Sequence, residues 1–174
     1  MAKSYKEILK NITTFVFDVD GVFTDGSLIL VPGEMARVMN VKDGFAVQLA
    51  VKKGLKLAII TGGSSEIVKE RLEGLGIKDV FLKCHNKLEV FQNYLNDNDL
   101  TASEVCYMGD DIPDLEVLKI AGLAVCPHDA CPEIREVSHY VSDKNGGKGC
   151  VRDVLEQAMK LKGIWLNDAE SSRW

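Results

Sequence analysis

The stretch FVFDVDGVFTDG, residues 15–26, decides the fold of this chain. Three apolar residues stop abruptly at Asp18, and the loop that follows is rich in aspartate and glycine. A short apolar run closed by turn residues is typical of a buried strand in a parallel sheet. Open sheets of this kind hold their chemistry at the carboxyl ends of the strands. The stretch therefore predicts a strand with a functional loop at its end.

The loop begins with two carboxylates, Asp18 and Asp20, separated by one valine. Because side chains alternate along a strand, both lie on the same side, where they repel each other unless a cation binds between them. Hard oxygen ligands suit Mg²⁺. One carboxylate is then able to attack a substrate while the other moves a proton. On this stretch alone, two turn-forming aspartates at a strand end remain the alternative.

Apolar runs and amphipathic segments alternate along the rest of the chain. The runs predict strands at residues 57–60, 80–82, 105–108, 123–126 and 139–141, and the segments predict helices at residues 5–12, 43–53, 64–75, 87–95, 114–121 and 148–162. Asp43 is a suitable cap for the second helix, and Ile67 falls on the apolar face of the third. This alternation predicts one Rossmann-like α/β domain over residues 1–174, a parallel sheet with helices on both faces.

Residues 27–41 interrupt this pattern. Two β-rich runs, residues 27–31 and 36–41, flank a Pro-Gly-Glu turn and predict a hairpin that projects from the end of the first strand. An isolated hairpin is only marginally stable. The apolar side chains exceed what a lone hairpin needs, and they predict either a contact between subunits or packing on the hairpin's own domain: Leu28, Leu30, Met35 and Met39.

The chain is mildly acidic, with 26 acidic and 21 basic residues among 174 and a net charge of −5. No basic stripe is present, which argues against nucleic acid as the main partner. The polar N-terminus lacks the apolar centre of a signal peptide, and no stretch approaches the length that spans a membrane. Five scattered cysteines without a CxxC pair predict reduced thiols in a cytoplasmic protein. Residues from about 166 to 174 form a polar tail.

Two further predicted strands end in polar loops, TGG at residues 61–63 and GDD at residues 109–111. The carboxyl ends of parallel strands share one edge, so these loops are expected beside Asp18 and Asp20. Thr61 offers a hydroxyl, and the glycines let backbone amides approach an anion. A plain turn also explains the TGG sequence.

Charged residues complete the set. Lys87 opens a helix, either as a solvated surface lysine or as a cation aimed at an anion. Asp110 and Asp111 are costly together at a strand end without a metal or a nearby cation, and Asp114 opens the next helix, where its simplest role is capping. With the first pair of carboxylates, these groups predict phosphoryl transfer, in which a carboxylate attacks phosphorus while Mg²⁺ and Lys87 neutralise the phosphoryl oxygens.

In this order, DVDGVFTDG, ITGG, Lys87 and GDDIPD resemble the motifs of the haloacid dehalogenase superfamily of phosphatases. The resemblance implies that Asp18 is the nucleophile and Asp20 the general acid/base. It also implies that Thr61, Gly62 and Lys87 contact the transferring phosphoryl group.

The same resemblance implies a Mg²⁺ site. Its ligands would be the side chains of Asp18 and Asp110 and the backbone carbonyl of Asp20. Asp111 and Asp114 are expected to support this site, as members of the extended acidic motif GDDIPD.

Nearly the whole chain resembles the 3-deoxy-D-manno-octulosonate 8-phosphate phosphatase family, through NVKDGFAVQLA, HNKLEVF, GDDIPDLEVLK, CPHDACPEI and NGGKGCVRDVLE. The resemblance implies a compact enzyme with a hairpin in place of a cap domain. It implies a homotetramer in which a neighbouring subunit helps to close each active site. The expected reaction is hydrolysis of the sugar acid phosphate through an aspartyl phosphate, in lipopolysaccharide precursor synthesis.

One position departs from the family pattern. Many bacterial members carry a basic residue directly after Thr-Gly, where this chain has Gly63. If that side chain holds the substrate carboxylate, then Arg71, Lys42 or a residue of another subunit must do so here. A nine-carbon keto-sugar acid 9-phosphate therefore stays an alternative substrate. A receiver-like phospho-acceptor switch and a catalytically inactive scaffold are the alternatives of a different class.

Overall fold

The structure is a computed structural model and describes residues 4–169. Its strands are β1 (Thr14–Phe17), β2 (Ile29–Val31), β3 (Glu34–Ala36), β4 (Lys56–Ile60), β5 (Asp79–Phe81), β6 (Val105–Met108), β7 (Leu123–Cys126) and β8 (Tyr140–Val141). Its α-helices are α1 (Tyr5–Leu9), α2 (Val41–Lys52), α3 (Glu66–Gly74), α4 (Lys87–Asp97), α5 (Leu115–Ile120), α6 (Pro132–Val137) and α7 (Cys150–Leu161). Short 3₁₀ turns lie at Ala102–Glu104 and Ile112–Asp114.

The main sheet has six parallel strands in the order β5-β4-β1-β6-β7-β8. Strand β1 lies near the middle, where Phe17 pairs with Ile59 of β4 and with Met108 of β6. All four residues of β1 are buried, as its uninterrupted apolar sequence predicts. The carboxyl ends of β1, β4 and β6 therefore lie side by side, which confirms the expected convergence of the three loops.

Helices cover both faces of the sheet, which confirms the predicted fold class. Alternation along β1 sends Phe15 and Phe17 into one buried cluster and Val16 into the other. Apolar residues of α2, α3 and α7 pack in the first cluster, and those of α4, α5 and α6 pack in the second. Helix α6 falls where the sequence predicted a loop. Pro132 at its first turn is compatible with a helix start, because that position needs no amide donor.

Two details of the helices differ from prediction. Helix α2 is capped by Asn40, whose Oδ1 accepts the amide of Lys42 at 2.9 Å, so the prediction of Asp43 as the cap is wrong. Asp43 is buried instead, and its Oδ1 accepts the amide of Arg152 in α7 at 2.7 Å. Ile67 is exposed, because the buried stripe of α3 runs through Val68 and Leu72, and Ile67 lies to one side of it.

The hairpin is tighter than predicted. Strands β2 and β3 pair antiparallel with Val31 opposite Glu34, so the turn holds Pro32 and Gly33 alone. Gly33 adopts φ +83°, which a turn of this kind reserves for glycine. The second strand consequently starts earlier and ends at Ala36. The described residues hold this hairpin, and no larger insertion, between β1 and α2.

Most of the apolar hairpin side chains face away from the core. Leu30 is 77% exposed, and Leu28 and Met35 are exposed too, whereas Met39 packs against the first buried cluster. Packing on the same domain therefore accounts for Met39 alone among the four. No helix within residues 4–169 is both long enough and apolar enough to cross a membrane. The predicted tail is described only to residue 169, and Trp174 lies outside the described residues.

Candidate active site

A cleft of about 580 Å³ opens at the carboxyl ends of β1, β4 and β6. We call it the strand-end cleft. Eight of the ten residues predicted for the site line it: Asp18, Asp20, Thr61, Gly62, Lys87, Asp110, Asp111 and Asp114. Parallel pairing brings these residues together although they come from four separate segments of the chain.

Lys87 is a buried cation rather than a solvated surface lysine. Its side chain reaches from the start of α4 into the cleft, and the residue is 6% exposed. The ammonium donates to Asp18 Oδ2 at 2.6 Å and to Asp114 Oδ1 at 2.8 Å. Burial alone lowers the pKa of Lys87, but the two carboxylates outweigh it and raise the pKa above its ordinary value. Lys87 therefore stays charged and holds the side chain of Asp18.

The three carboxylates of Asp18, Asp110 and Asp114 carry more negative charge than Lys87 balances. One carboxylate oxygen of each residue lies within 4.8 Å of one oxygen of both others. Burial and the charge of Asp114 raise the pKa of Asp18 to about 6, although Lys87 opposes the change. Burial and the charges of Asp18 and Asp114 raise the pKa of Asp110 to about 7. A hard divalent cation fits a site of this kind, because it supplies the missing positive charge and prefers carboxylate oxygens.

A close backbone approach makes room for Asp110. A Cβ atom on Gly21 would lie 1.9 Å from Asp110 Oδ2, and Gly21 adopts φ +80°, a conformation that favours glycine. The glycine of the DVDG sequence therefore makes room for the Asp110 carboxylate beside the loop that carries Asp18 and Asp20. Sequence reasoning treated this residue as turn chemistry and missed its steric role.

Asp114 opens α5 but does not cap it with its side chain. It is fully buried, and its carboxylate accepts from Lys87, from the Tyr107 hydroxyl at 2.6 Å and from the Asp110 amide at 3.2 Å. The capping role expected from its position is therefore wrong. Asp114 fixes the lysine and the loop that carries Asp110. Tyr107 was missed by sequence reasoning, and its one signal is a polar tip within the otherwise apolar strand β6.

Asp20 pairs with Arg37, a residue that sequence reasoning also missed. Arg37 Nε donates to Asp20 Oδ1 at 2.6 Å, and Nη2 donates to Asp20 Oδ2 at 3.0 Å. Arg37 follows β3, so the hairpin reaches back to the second carboxylate of the DVD sequence. The available signal was that Arg37 is the one basic residue in the stretch 27–41.

Thr61 and Gly62 line the cleft at the end of β4, beside the loop that carries Asp18 and Asp20. Thr61 is buried, and its hydroxyl oxygen accepts the Gly63 amide at 3.2 Å. The nearest heavy atom to a Cβ placed on Gly62 is the Cys84 carbonyl oxygen, at 3.9 Å. The TGG loop therefore offers a hydroxyl proton and an open backbone beside the carboxylates, which suits an anion.

Lys42 and Arg71 lie elsewhere in this chain. Lys42, in the first turn of α2, lines a separate cavity of about 540 Å³ together with Lys148 and Arg152. Arg71 is exposed on α3, where its Nη2 lies 2.9 Å from the place that a Gly44 Cβ would take. Neither lines the strand-end cleft formed by the described residues, so their roles toward a substrate remain predictions.

The parallel sheet and the Asp, Thr, Lys and Asp residues at its edge define a hydrolase of the haloacid dehalogenase class. The chain matches the sequence model of the family "Haloacid dehalogenase-like hydrolase" over residues 44–127. The 3-deoxy-D-manno-octulosonate 8-phosphate phosphatase KdsC of Salmonella typhi is 34% identical over 155 residues, which cover 88% of this chain and 82% of that protein.

Solved structures agree. The 3-deoxy-D-manno-octulosonate 8-phosphate phosphatase from Yersinia pestis matches with a TM-score of 0.90 at 30% identity, covering 94% of this chain and 89% of that chain. The phosphatase from Moraxella catarrhalis, solved with a magnesium ion, a phosphate ion and KDO, matches with a TM-score of 0.88 at 34% identity, covering 92% and 93%. The chain therefore belongs to the haloacid dehalogenase-like hydrolases, in the family of the 3-deoxy-D-manno-octulosonate 8-phosphate phosphatases. The resemblance drawn from the motifs is confirmed.

Proposed function

We propose that this protein is a Mg²⁺-dependent phosphatase that hydrolyses 3-deoxy-D-manno-octulosonate 8-phosphate in lipopolysaccharide precursor synthesis. The observation that carries the proposal is the buried contact of Lys87 with Asp18 at the carboxyl end of β1. It aims a carboxylate into a cleft that also holds a threonine hydroxyl and a cluster of acids able to bind a metal ion. The names of the relatives and the ligands in the Moraxella catarrhalis structure support the substrate.

The side chains of Asp18 and Asp110, with the backbone carbonyl of Asp20, are the groups proposed to hold Mg²⁺. The excess of negative charge in the cleft supports this assignment. When bound, Mg²⁺ supplies positive charge that stabilises the phosphoryl oxygens and the carboxylate beside them. Asp111 is exposed at the rim of the cleft and is proposed to support Asp110 from the solvent side.

The reaction proceeds in two steps on this chain's residues. A carboxylate oxygen of Asp18 attacks phosphorus, the P–O bond to the sugar breaks, and the bridging oxygen takes a proton from the Asp20 carboxyl group. Asp20 then takes a proton from water, which attacks the aspartyl phosphate and releases phosphate with Asp18 restored. Lys87 orients Asp18, and Thr61 and Gly62 donate hydrogen bonds to the phosphoryl oxygens in both steps.

The test is release of inorganic phosphate, with Mg²⁺, from the eight-carbon substrate, from a nine-carbon keto-sugar acid 9-phosphate and from hexose phosphates. We expect preference for the eight-carbon substrate and a loss of about a thousandfold or more in Asp18→Asn. Preference for the nine-carbon substrate would keep the mechanism and change the pathway. Gly63 is the observation that favours this second candidate, because it leaves the cleft without the basic side chain of many family members.

A phospho-acceptor switch is tested with Asp20→Ala. A switch would still be phosphorylated and would keep its slow hydrolysis, because it does not depend on a general acid/base. The enzyme should lose turnover by about a hundredfold or more, since general acid–base catalysis contributes ~10²–10⁴ in rate. If the wild type releases no phosphate from any ester, the phospho-acceptor switch and the inactive scaffold become the favoured hypotheses.

We further propose a cytoplasmic homotetramer, built from one domain per chain and assembled through the β2–β3 hairpins. The exposed apolar side chains of Leu28, Leu30 and Met35 support a contact between subunits, and five free cysteines support a reducing compartment. In such an assembly Lys42 and Arg71, which do not line the cleft of their own chain, contact the substrate at a neighbour's cleft. Light scattering of the wild type and of Leu30→Asp tests the assembly. A wild-type monomer would overturn it.

A further inference from the structure

Arg37 makes a two-pronged ion pair with Asp20. Its Nε and Nη2 atoms donate to the two carboxylate oxygens at 2.6 and 3.0 Å. Its third nitrogen, Nη1, donates to the Met35 carbonyl in β3 at 2.9 Å. A bidentate arginine fixes the plane of a carboxylate as well as its position, which a single hydrogen bond does not.

The pair is buried on the arginine side. The Arg37 side chain is 7% exposed, whereas the Asp20 side chain is 36% exposed toward the cleft. Arg37 uses three of its five N–H groups in these bonds, and it does not line the strand-end cleft among the described residues. Contact with the reacting groups is therefore made by Asp20, and any effect of Arg37 on the reaction passes through that carboxylate.

Because Gly63 has no side chain, the ion pair of Arg37 and Asp20 has room beside it. A Cβ atom on Gly63 would stand 3.6 Å from Arg37 Nη2 and 3.6 Å from Asp20 Oδ2, which is ordinary van der Waals contact. A methyl group therefore fits, but a longer side chain would compete for the volume of the guanidinium. Gly63 is the one departure from the family motifs. Its lack of a side chain leaves room for the Arg37 guanidinium.

We propose that Arg37 is the positioning residue of the acid/base Asp20, and that Gly63 leaves it room. The inference rests on the proposed function for the role of Asp20. In the first step the Asp20 proton must reach the bridging oxygen as the P–O bond breaks, and Arg37 holds the carboxyl group toward the cleft. In the second step the resulting carboxylate takes the proton of water from the same position.

The leaving group tests this inference. Phenyl phosphate needs a proton on its departing oxygen more than 4-nitrophenyl phosphate does, because 4-nitrophenolate is a stable anion. For Arg37→Ala we expect kcat/KM to fall about ten- to a hundredfold on phenyl phosphate and about threefold or less on the nitrophenyl ester. The loss is smaller than the ~10²–10⁴ that general acid–base catalysis contributes in full, because Asp20 itself is still present. Arg37→Lys should recover part of the loss, since lysine donates without the bidentate geometry.

A double mutant separates positioning from a structural role. In the Asp20→Asn background, adding Arg37→Ala should change kcat/KM by about twofold or less on either ester, because residues that act as one unit are not additive. Equal losses on the two esters, or losses that multiply in the double mutant, would overturn the inference. Arg135→Ala is the matched control, since Arg135 is an exposed arginine on α6 that does not line the cleft.

Gly63 gives a second, independent pair of variants. Gly63→Ala should keep the leaving-group dependence of the wild type, and Gly63→Leu should show that of Arg37→Ala. The aryl esters carry no sugar, so they test the role of Arg37 separately from the substrate. A wild type that cleaves the aryl esters but not the sugar acid phosphate would overturn the substrate assignment and leave this inference intact. A wild type that cleaves neither aryl ester overturns the inference together with the acid/base role of Asp20.

Discussion

The Nζ atom of Lys87 donates a 2.8 Å hydrogen bond to Oδ1 of Asp114, and both residues are buried. The same ammonium reaches Asp18 at 2.6 Å, so the position of the proposed nucleophile depends on the fully buried carboxylate of Asp114. A buried ion pair of this kind is costly to break, because the partner left behind keeps its charge without compensation. Asp114 is therefore expected to matter for both stability and catalysis.

Asp114→Ala should lower the free energy of unfolding by about 3–5 kcal/mol, the usual cost of orphaning one member of a buried pair. Asp114→Asn keeps the shape and should cost less stability, but it removes the charge that holds Lys87. We expect its kcat to fall by about tenfold or more. Denaturant unfolding and phosphate release measure the two effects. A wild-type kcat in Asp114→Asn would show that Lys87 needs no second carboxylate.

Two buried tyrosines make a matched pair. Tyr107 donates its hydroxyl hydrogen to Asp114 at 2.6 Å, whereas the hydroxyl of Tyr94 has no hydrogen-bond partner among the described residues. Tyr107→Phe should therefore cost about 1.5–3 kcal/mol of unfolding free energy, the net contribution of a hydrogen bond to a charged group. Tyr94→Phe should be neutral or slightly stabilising, because it removes a buried polar atom that bonds to nothing. Equal losses in the two variants would contradict this reading of the Asp114 network.

The sequence predicted the strand ends well, because the signals for them are local. The apolar run before Asp18 and the glycines after Thr61 determine the backbone of their own short segments. The partners that fix the site could not be predicted in the same way. Arg37 meets Asp20 across 17 residues, and Asp43 meets the Arg152 amide across 109. These contacts depend on where the hairpin folds back and on how α2 packs against α7. Neither composition nor hydrophobic periodicity predicts where the hairpin folds back or how α2 packs against α7.

Asp43 gives a prediction about pH. Burial raises the pKa of Asp43 to about 6, although the Arg152 and Gly149 amides oppose the change, and its Oδ2 has no partner among the described residues. Folding thus favours the protonated form of Asp43. The contribution of this residue to stability is fully present below the ordinary pKa of an aspartate and is lost as pH rises through about 6. The Asp43→Asn variant carries no such charge. It should gain about 1–3 kcal/mol over the wild type at about pH 8 and little at about pH 4.

The measurement is denaturant unfolding of both proteins across that pH range. Other buried acids of the cleft titrate in both, so the difference between the two proteins isolates Asp43. Asp143→Asn removes an exposed carboxylate and should show no comparable gain. A constant difference between Asp43→Asn and the wild type at all pH values would contradict the prediction.

Gly21 tests the proposed metal site through its backbone. In Gly21→Ala the new Cβ would stand 1.9 Å from Asp110 Oδ2 and must displace that carboxylate. We expect Mg²⁺ affinity, measured by calorimetry, to fall by about tenfold or more, with phosphate release falling in parallel.

Gly54→Ala is the control, because Gly54 has nearly the same backbone conformation, φ +82°, and has nothing within 4 Å of its Cβ position. Both variants pay the strain of a left-handed alanine, roughly 1–2 kcal/mol, so the clash with Asp110 is the difference between them. Equal Mg²⁺ affinities in the two variants would exclude Asp110 as a ligand.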